Sequence, residues 1–198
     1  MGNVTAKPSK AAVFGAANGV AFMAFFGALW ASIGIVGTQN IGVPALLVVP
    51  GLMTLILLFG AFSLFGKARR MDNAATPAEK ENANRTNRRF GLIFGLEGLA
   101  IMIASVLCNL FDRFEIFFPI MAIIVGLHFF PLARLFRENF YVGTGVVLCV
   151  LGIVSFFIPL DASIGDVSIV ARSAVIGYGS ALTLWVTGLR IWIALRRR

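Results

Sequence analysis

Charge is what this sequence has least of. Of its 198 residues only 13% are Asp, Glu, Lys or Arg, half the roughly 25% of an ordinary soluble domain. With 59% hydrophobic residues and a mean hydropathy of +0.89, the chain has too little polar surface to cover a water-soluble globule. That excludes a disordered polymer and a soluble enzyme core, and it predicts a membrane protein. Histidine and cysteine are scarce as well. The single His excludes bis-His haem ligation and a His-cluster metal site within one chain. Cys108 and Cys149 fall in different apolar runs and outside any CxxC spacing, so neither a disulfide scaffold nor a zinc or redox centre is expected. The P-loop, the GxGxxG turn, GxSxG and HExxH are absent from the sequence. No cofactor, metal or catalytic residue is therefore expected, and the protein is not expected to be an enzyme.

Long apolar runs are what the chain does have. Crossing about 30 Å of hydrocarbon takes roughly 20 apolar residues in a helix, and six runs meet that length: 11–37, 43–66, 90–111, 116–133, 142–160 and 169–195. The expected fold is all-α, a polytopic membrane bundle of six transmembrane helices forming one integral membrane domain over residues 1–198. The first run follows Lys7 and Lys10 and ends near Ala28-Leu-Trp-Ala31, as a signal peptide does. It is too long for a signal-peptide core of about 7–15 residues, so it is read as an uncleaved first span. Between spans two and three lies the one long polar stretch, residues 67–89. Within it Thr76-Pro-Ala-Glu79 has the order N-cap, Pro at N1 and Glu at N3, which predicts a helix starting near Pro77 and continuing into span three; a flexible basic linker is the alternative.

The net charge of +8 is explained by position. The N-tail, the 67–89 loop, the loop after span four and the C-terminal end together hold 15 of the 17 Lys and Arg residues, and the opposite segments hold only Arg113 and Arg172. The positive-inside rule then puts both termini in the cytoplasm of a cell inner membrane. The basic fringe, Arg69, Arg70, Arg88, Arg89 and Arg196 to Arg198, is suited to anionic lipid headgroups at the cytoplasmic face. With no soluble domain to present it, nucleic acid is not expected as a partner. The sequons Asn3-Val-Thr5 and Asn84-Arg-Thr86 fall on that side and are discounted, and MGNVTA lacks the Ser or Thr expected of a myristoylated start.

Spans one, three and five each carry a polar residue, a Gly and an apolar run: Asn18-Gly19, Glu97-Gly98 and Thr144-Gly145. The returning spans share a pattern too, clearest between Gly126 to Arg134 and Gly188 to Arg196. A threefold repeat of helical hairpins would follow, although matches this short also arise by chance in apolar sequence. Either way, Glu97, His128, Arg190, Asn18 and Thr144 all fall about 9–12 Å in from the basic boundary at 1.5 Å per residue, where they would form one polar layer. Ionisable groups at that depth are retained for a function unless they are paired for structure. Glu97 is the one acid well inside a span, with His128 and Arg190 as its expected partners. A carboxylate and an imidazole in low dielectric can exchange a proton near neutral pH, which is the chemistry of a proton relay; a static ion pair, or an Arg190 that only snorkels to the headgroups, is the structural alternative.

Gly15-xxx-Gly19 and Gly91-xxx-Gly95 are expected to let helix backbones approach closely. Pro50-Gly51, Pro119 and Pro131 are candidate kinks or breaks in spans two and four. Trp192 is expected at the inner interface and Trp30 in the outer half.

The segment Gly126 to Phe136, GLHFFPLARLF, together with six short-looped spans, resembles a group of small uncharacterised bacterial inner-membrane proteins. The resemblance implies the fold but brings no activity with it. The six-span build is also similar, in architecture alone, to small bacterial stress-associated membrane proteins of the acid-resistance type. The expected function is that of a small transporter or permease-like protein with a cytoplasm-facing polar site and an unknown small-molecule or ion substrate. The alternative is a non-catalytic partner subunit or stress-response protein whose polar layer is structural. An enzyme acting on lipid headgroups with His128 as base has no second catalytic motif to support it, and the oligomeric state is left open.

Overall fold

A computed structural model describes residues 9–39, 42–71, 76–164 and 167–197. Lys7, the Asn3-Val-Thr5 sequon, Asp72, Asp166 and Arg198 lie outside the described residues, as does the Glu79 side chain. Among the described residues there are six α-helices: α1 (Lys10–Gly37), α2 (Val43–Arg69), α3 (Pro77–Leu110), α4 (Phe117–Phe136), α5 (Phe140–Ser155) and α6 (Ala171–Arg196). A 3₁₀ turn, Phe114–Ile116, leads into α4.

Local chemistry accounts for the helix ends. Ser9 caps α1 by accepting a hydrogen bond from the Ala12 amide at 3.2 Å. Gly42 precedes α2 in the left-handed conformation, φ 68°, which Gly adopts without steric cost. The third helix starts at Pro77, where the Thr-Pro-Ala-Glu pattern puts it, so the flexible-linker alternative is set aside for residues 76–89. Its first turns are solvated and carry an Arg85–Glu81 pair at 3.7 Å. Neither Pro50 nor Pro131 unwinds its helix, since α2 and α4 continue through them.

Five of the helices are long and apolar enough to cross a membrane. The fifth run departs from its expected length: a span over 142–160 is predicted, but α5 stops at Ser155 after 16 residues. Pro159 explains the stop. It has no N–H to donate and drives the residue before it out of the helical region, and the amides of Phe156, Phe157 and Ile158 close tight i−3 turns instead. An antiparallel hairpin of β1 (Ala162–Ile164) and β2 (Val167–Ile169) follows, with Ser163 opposite Ser168. It is the one departure from the all-α expectation among the described residues.

The packing is antiparallel throughout the α1–α6, α4–α5 and α3–α4 pairs. On α1 and α6, Gly37 lies at Ala174, Gly34 at Gly177 and Gly27 at Trp185. These are the closest approaches in the bundle: a Cβ on Gly177 would strike the Gly34 backbone, and one on Gly37 would lie 2.5 Å from the Ala174 nitrogen. On α4 and α5, a Cβ on Gly126 would lie 2.8 Å from the Gly145 carbonyl oxygen. The glycine motifs expected from sequence are not the ones used. Gly15, Gly91 and Gly95 have open space where a side chain would go, and Gly19 meets only the Tyr141 hydroxyl at 3.5 Å.

The most extensive contacts, α1–α6 and α4–α5, join different sequence hairpins. Three equivalent hairpins therefore do not describe the packing. Trp30 and Trp185 are core residues, 3% and 6% exposed, and not interface anchors. Large apolar side chains cover the outside, including Leu55, Phe59 and Phe62 on α2 and Leu96, Ile103 and Val106 on α3. An apolar exterior of this kind matches lipid, which identifies a membrane-embedded protein. The described ends of the chain lie at one end of the bundle: Lys10 Nζ donates to the Met71 carbonyl at 3.2 Å, and Lys67 Nζ to the Leu195 carbonyl at 2.7 Å. That end is the basic one. At the other end the Val170 amide ties the start of α6 to the Gly37 carbonyl, and Arg172 donates to the Ile158 carbonyl beyond α5.

Candidate functional site

Glu97 and His128 face one another across the α3–α4 interface, with His128 Nδ1 2.7 Å from Glu97 Oε2. Their side chains are 9% and 13% exposed respectively. The carboxylate oxygen lies off the line of an Nδ1–H hydrogen bond, so this is a close polar contact and not an aligned hydrogen bond. His128 Nε2 is buried and has no hydrogen-bond partner in the protein. Among the described residues this is the single ion pair joining two different helices.

Helical spacing explains how α3 supplies the acid. Phe90, Phe94 and Glu97 recur at i, i+4 and i+7, one stripe of the helix. The two phenyl rings stack on each other at 6.0 Å, and both reach Phe22 on α1, at 6.3 and 5.5 Å; Phe94 also meets Phe26 at 6.4 Å. Rings thus fill the space between α1 and α3, whose backbones hardly touch. Further along, Ala104 and Cys108 pack on Phe117. The His128 ring lies parallel to that of Phe129, with centroids 5.2 Å apart.

The other predicted members of the layer go elsewhere. Arg190 is exposed, and its guanidinium sits 4.7 Å from the centroid of the Phe140 ring. It makes no pair with Glu97: α6 packs chiefly on α1, α5 and α2, whereas α3 packs chiefly on α4. Asn18 is exposed on α1, and its amide donates to the Phe14 carbonyl one turn back at 3.2 Å. Thr144 is buried on α5, its hydroxyl 2.8 Å from that of Thr187 on α6. The five residues thus divide into the Glu97–His128 pair, a Thr144 that pairs elsewhere with Thr187, and two outward-facing side chains. Thr187 is the partner that sequence reading missed. Its signal was the Thr183-xxx-Thr187 spacing, which puts two hydroxyls on one face of α6, where Thr187 also donates to the Thr183 carbonyl at 2.7 Å.

Among the described residues, the two best-formed clefts are not lined by the Glu97–His128 pair. One, of about 270 Å³, lies at the non-basic end between Ser32, Val36, Phe118 and Ser173. The other, of about 530 Å³, lies at the basic end against Ser63, Gly66, Lys67, Arg70 and Met71. No group of three or more His, Cys, Asp or Glu side chains suited to a metal ion occurs among the described residues. Chemically the acid–imidazole pair can share and pass a proton, and Nε2 offers a second point for a proton to enter or leave.

Residues 10–187 match a protein family described as a family of unknown function, DUF7010. The match covers most of the chain, and the protein belongs to that family. No curated protein and no solved structure matches it.

Proposed function

We propose that the protein is a small membrane transporter or permease-like protein in which Glu97 and His128 carry a proton. The observation that carries this reading is the buried 2.7 Å contact of carboxylate and imidazole, with the second ring nitrogen unpartnered. Two titratable groups of opposite charge type, held on two helices inside an apolar bundle, fit a relay. The thin packing of α3, only 6% of whose apolar stretch is buried, supports it too. In this reading the basic end and both termini face the cytoplasm of an inner membrane, in keeping with 15 of the 17 Lys and Arg lying on that side of the sequence pattern.

The test is proton flux into proteoliposomes under an imposed pH gradient, read with an entrapped pH-sensitive dye. Wild type is expected to carry protons. Glu97→Gln is expected to abolish the flux while the variant still elutes as a folded species in detergent. Unchanged flux in Glu97→Gln removes the relay.

A second reading is a non-catalytic partner subunit or stress-response protein whose pair is structural. It draws on the burial of the pair and on both clefts opening elsewhere. In that case Glu97→Gln lowers the thermal midpoint, and neither wild type nor variant carries protons.

A further inference from the structure

The basic end holds a second built feature, independent of the Glu97–His128 pair. There the last turns of α2 and α6 meet. The Trp192 indole lies against Gly60, where a Cβ would come within 2.7 Å of Cδ2, and meets the Phe59 ring edge-on at 6.0 Å. Its Nε1–H donates to Ser63 Oγ at 2.9 Å, and the Ser63 hydroxyl donates to the Gly60 carbonyl at 2.7 Å. One turn further on, Lys67 ties α2 to the last carbonyls of α6 through Leu195. The cleft of about 530 Å³ opens beside this junction.

Three properties of the cleft point to one kind of ligand. Among the described residues its lining contains two bases, Lys67 and Arg70, and no acid, and neither base forms an ion pair there. Two carbonyls at this end accept from lysines, Leu195 from Lys67 and Met71 from Lys10. Gly66 leaves the floor open, since nothing lies within 4 Å of where its Cβ would be. The position matters as much as the charge. Phe59 and Phe62, both exposed, lead up α2 to the cleft from the apolar side, and Arg69, Arg196 and Arg197 continue the basic surface beyond it. The site lies where an apolar exterior meets a basic rim, with an amphipathic Trp at the boundary.

We propose that this cleft binds the phosphate of an anionic membrane lipid, with Lys67 and Arg70 on the phosphate oxygens, Ser63 beside them and the acyl chains along the Phe59 and Phe62 face. Arg supplies planar paired donors and Lys a point charge, the two residue types that phosphate sites use. The occupant is a single lipid at a defined place on each chain, distinct from the general attraction of a basic fringe for anionic headgroups.

The test uses the purified full chain in detergent, titrated with phosphatidylglycerol, phosphatidylcholine or inorganic phosphate, and reads bound lipid by native mass spectrometry and the thermal midpoint. One phosphatidylglycerol retained per chain, with phosphatidylcholine bound weakly, is the expected result. Arg70→Gln should weaken retention about fivefold, the effect of one basic contact at a membrane surface. Arg88→Gln removes the same charge from α3 and should leave retention unchanged. Gly66→Leu fills the cleft with no change in charge and should abolish retention. Equal binding of the two lipids, equal loss in Arg70→Gln and Arg88→Gln, full retention in Gly66→Leu, or the whole thermal effect from inorganic phosphate alone would each overturn the proposal.

Discussion

The α1–α6 seam and the α3–α4 interface are built on opposite principles. About half of the apolar stretch of α1 and α6 is buried inside the bundle, 44% and 56%, against 6% for α3. The seam is apolar and close, with backbones meeting at Gly34 and Gly177 and the Trp185 ring lying on Gly27. The α3–α4 interface holds the Glu97–His128 contact and the small cluster of Ala104, Cys108 and Phe117, while phenyl rings on α3 reach across a gap to α1. In lipid there is no hydrophobic drive to bring helices together, so close van der Waals packing of small residues and interhelical polar contacts carry that role. The protein uses the first means along the buried α1–α6 seam and the second where α3 stands at the edge. The pair that can exchange a proton therefore involves the helix least buried in the bundle.

Substitutions on the two sides should separate the principles. The largest effect is expected at the seam. Gly177→Leu places a side chain into the Gly34 backbone and should cost about 3 kcal/mol or more, seen as loss of a monodisperse peak in detergent or a collapse of the thermal midpoint. A Gly177→Leu protein as stable as wild type would mean that α1 and α6 are not locked together. Next comes the pair. His128→Leu strands a buried carboxylate and should cost about 3 kcal/mol, whereas Glu97→Leu/His128→Leu should recover most of that loss; a double variant as unstable as the single one would show that the two side chains do not depend on each other. The smallest effect is expected on the outer face of α3. Gly95→Ala meets no neighbour and replaces a poor helix former, so its thermal midpoint should hold or rise, by up to about 1 kcal/mol in stability. A clear loss there would show that another surface packs on α3.

The candidate site was half legible in the sequence. Glu97 announces itself as an acid inside an apolar run, and the antiparallel return of α4 brings His128 to its depth, so the pair follows from spacing and topology. Arg190 has the right depth as well, but it faces away from α3 and lies over Phe140. Depth is set by position along a helix and can be counted. The face of the bundle to which a side chain turns depends on the rotation of the helix about its own axis, and helices that are apolar nearly all round carry little sign of that rotation in their sequence. Asn18 shows the same gap, since it was placed in the layer by depth yet turns outward and bonds its own helix. The glycines repeat the lesson: GxxxG spacing was visible at Gly91 and Gly95, but the backbones meet elsewhere.

The sequence by itself determined that the chain is helical and apolar enough for a membrane, that α3 begins at Pro77 and that the positive charge gathers at one end, whereas the early stop of α5 before Pro159 came only with the structure. Each of the first three rests on neighbours in the chain: run length, capping chemistry and the order of charges. Only the tertiary structure decided that His128 and not Arg190 meets Glu97, that Thr144 bonds Thr187, that α1 lies on α6, and that Lys67 reaches Leu195 and Trp192 reaches Ser63. These contacts join residues from 31 to more than a hundred positions apart. They depend on how near-uniformly apolar helices rotate and cross, which is settled by the fit of side chains in the assembled bundle.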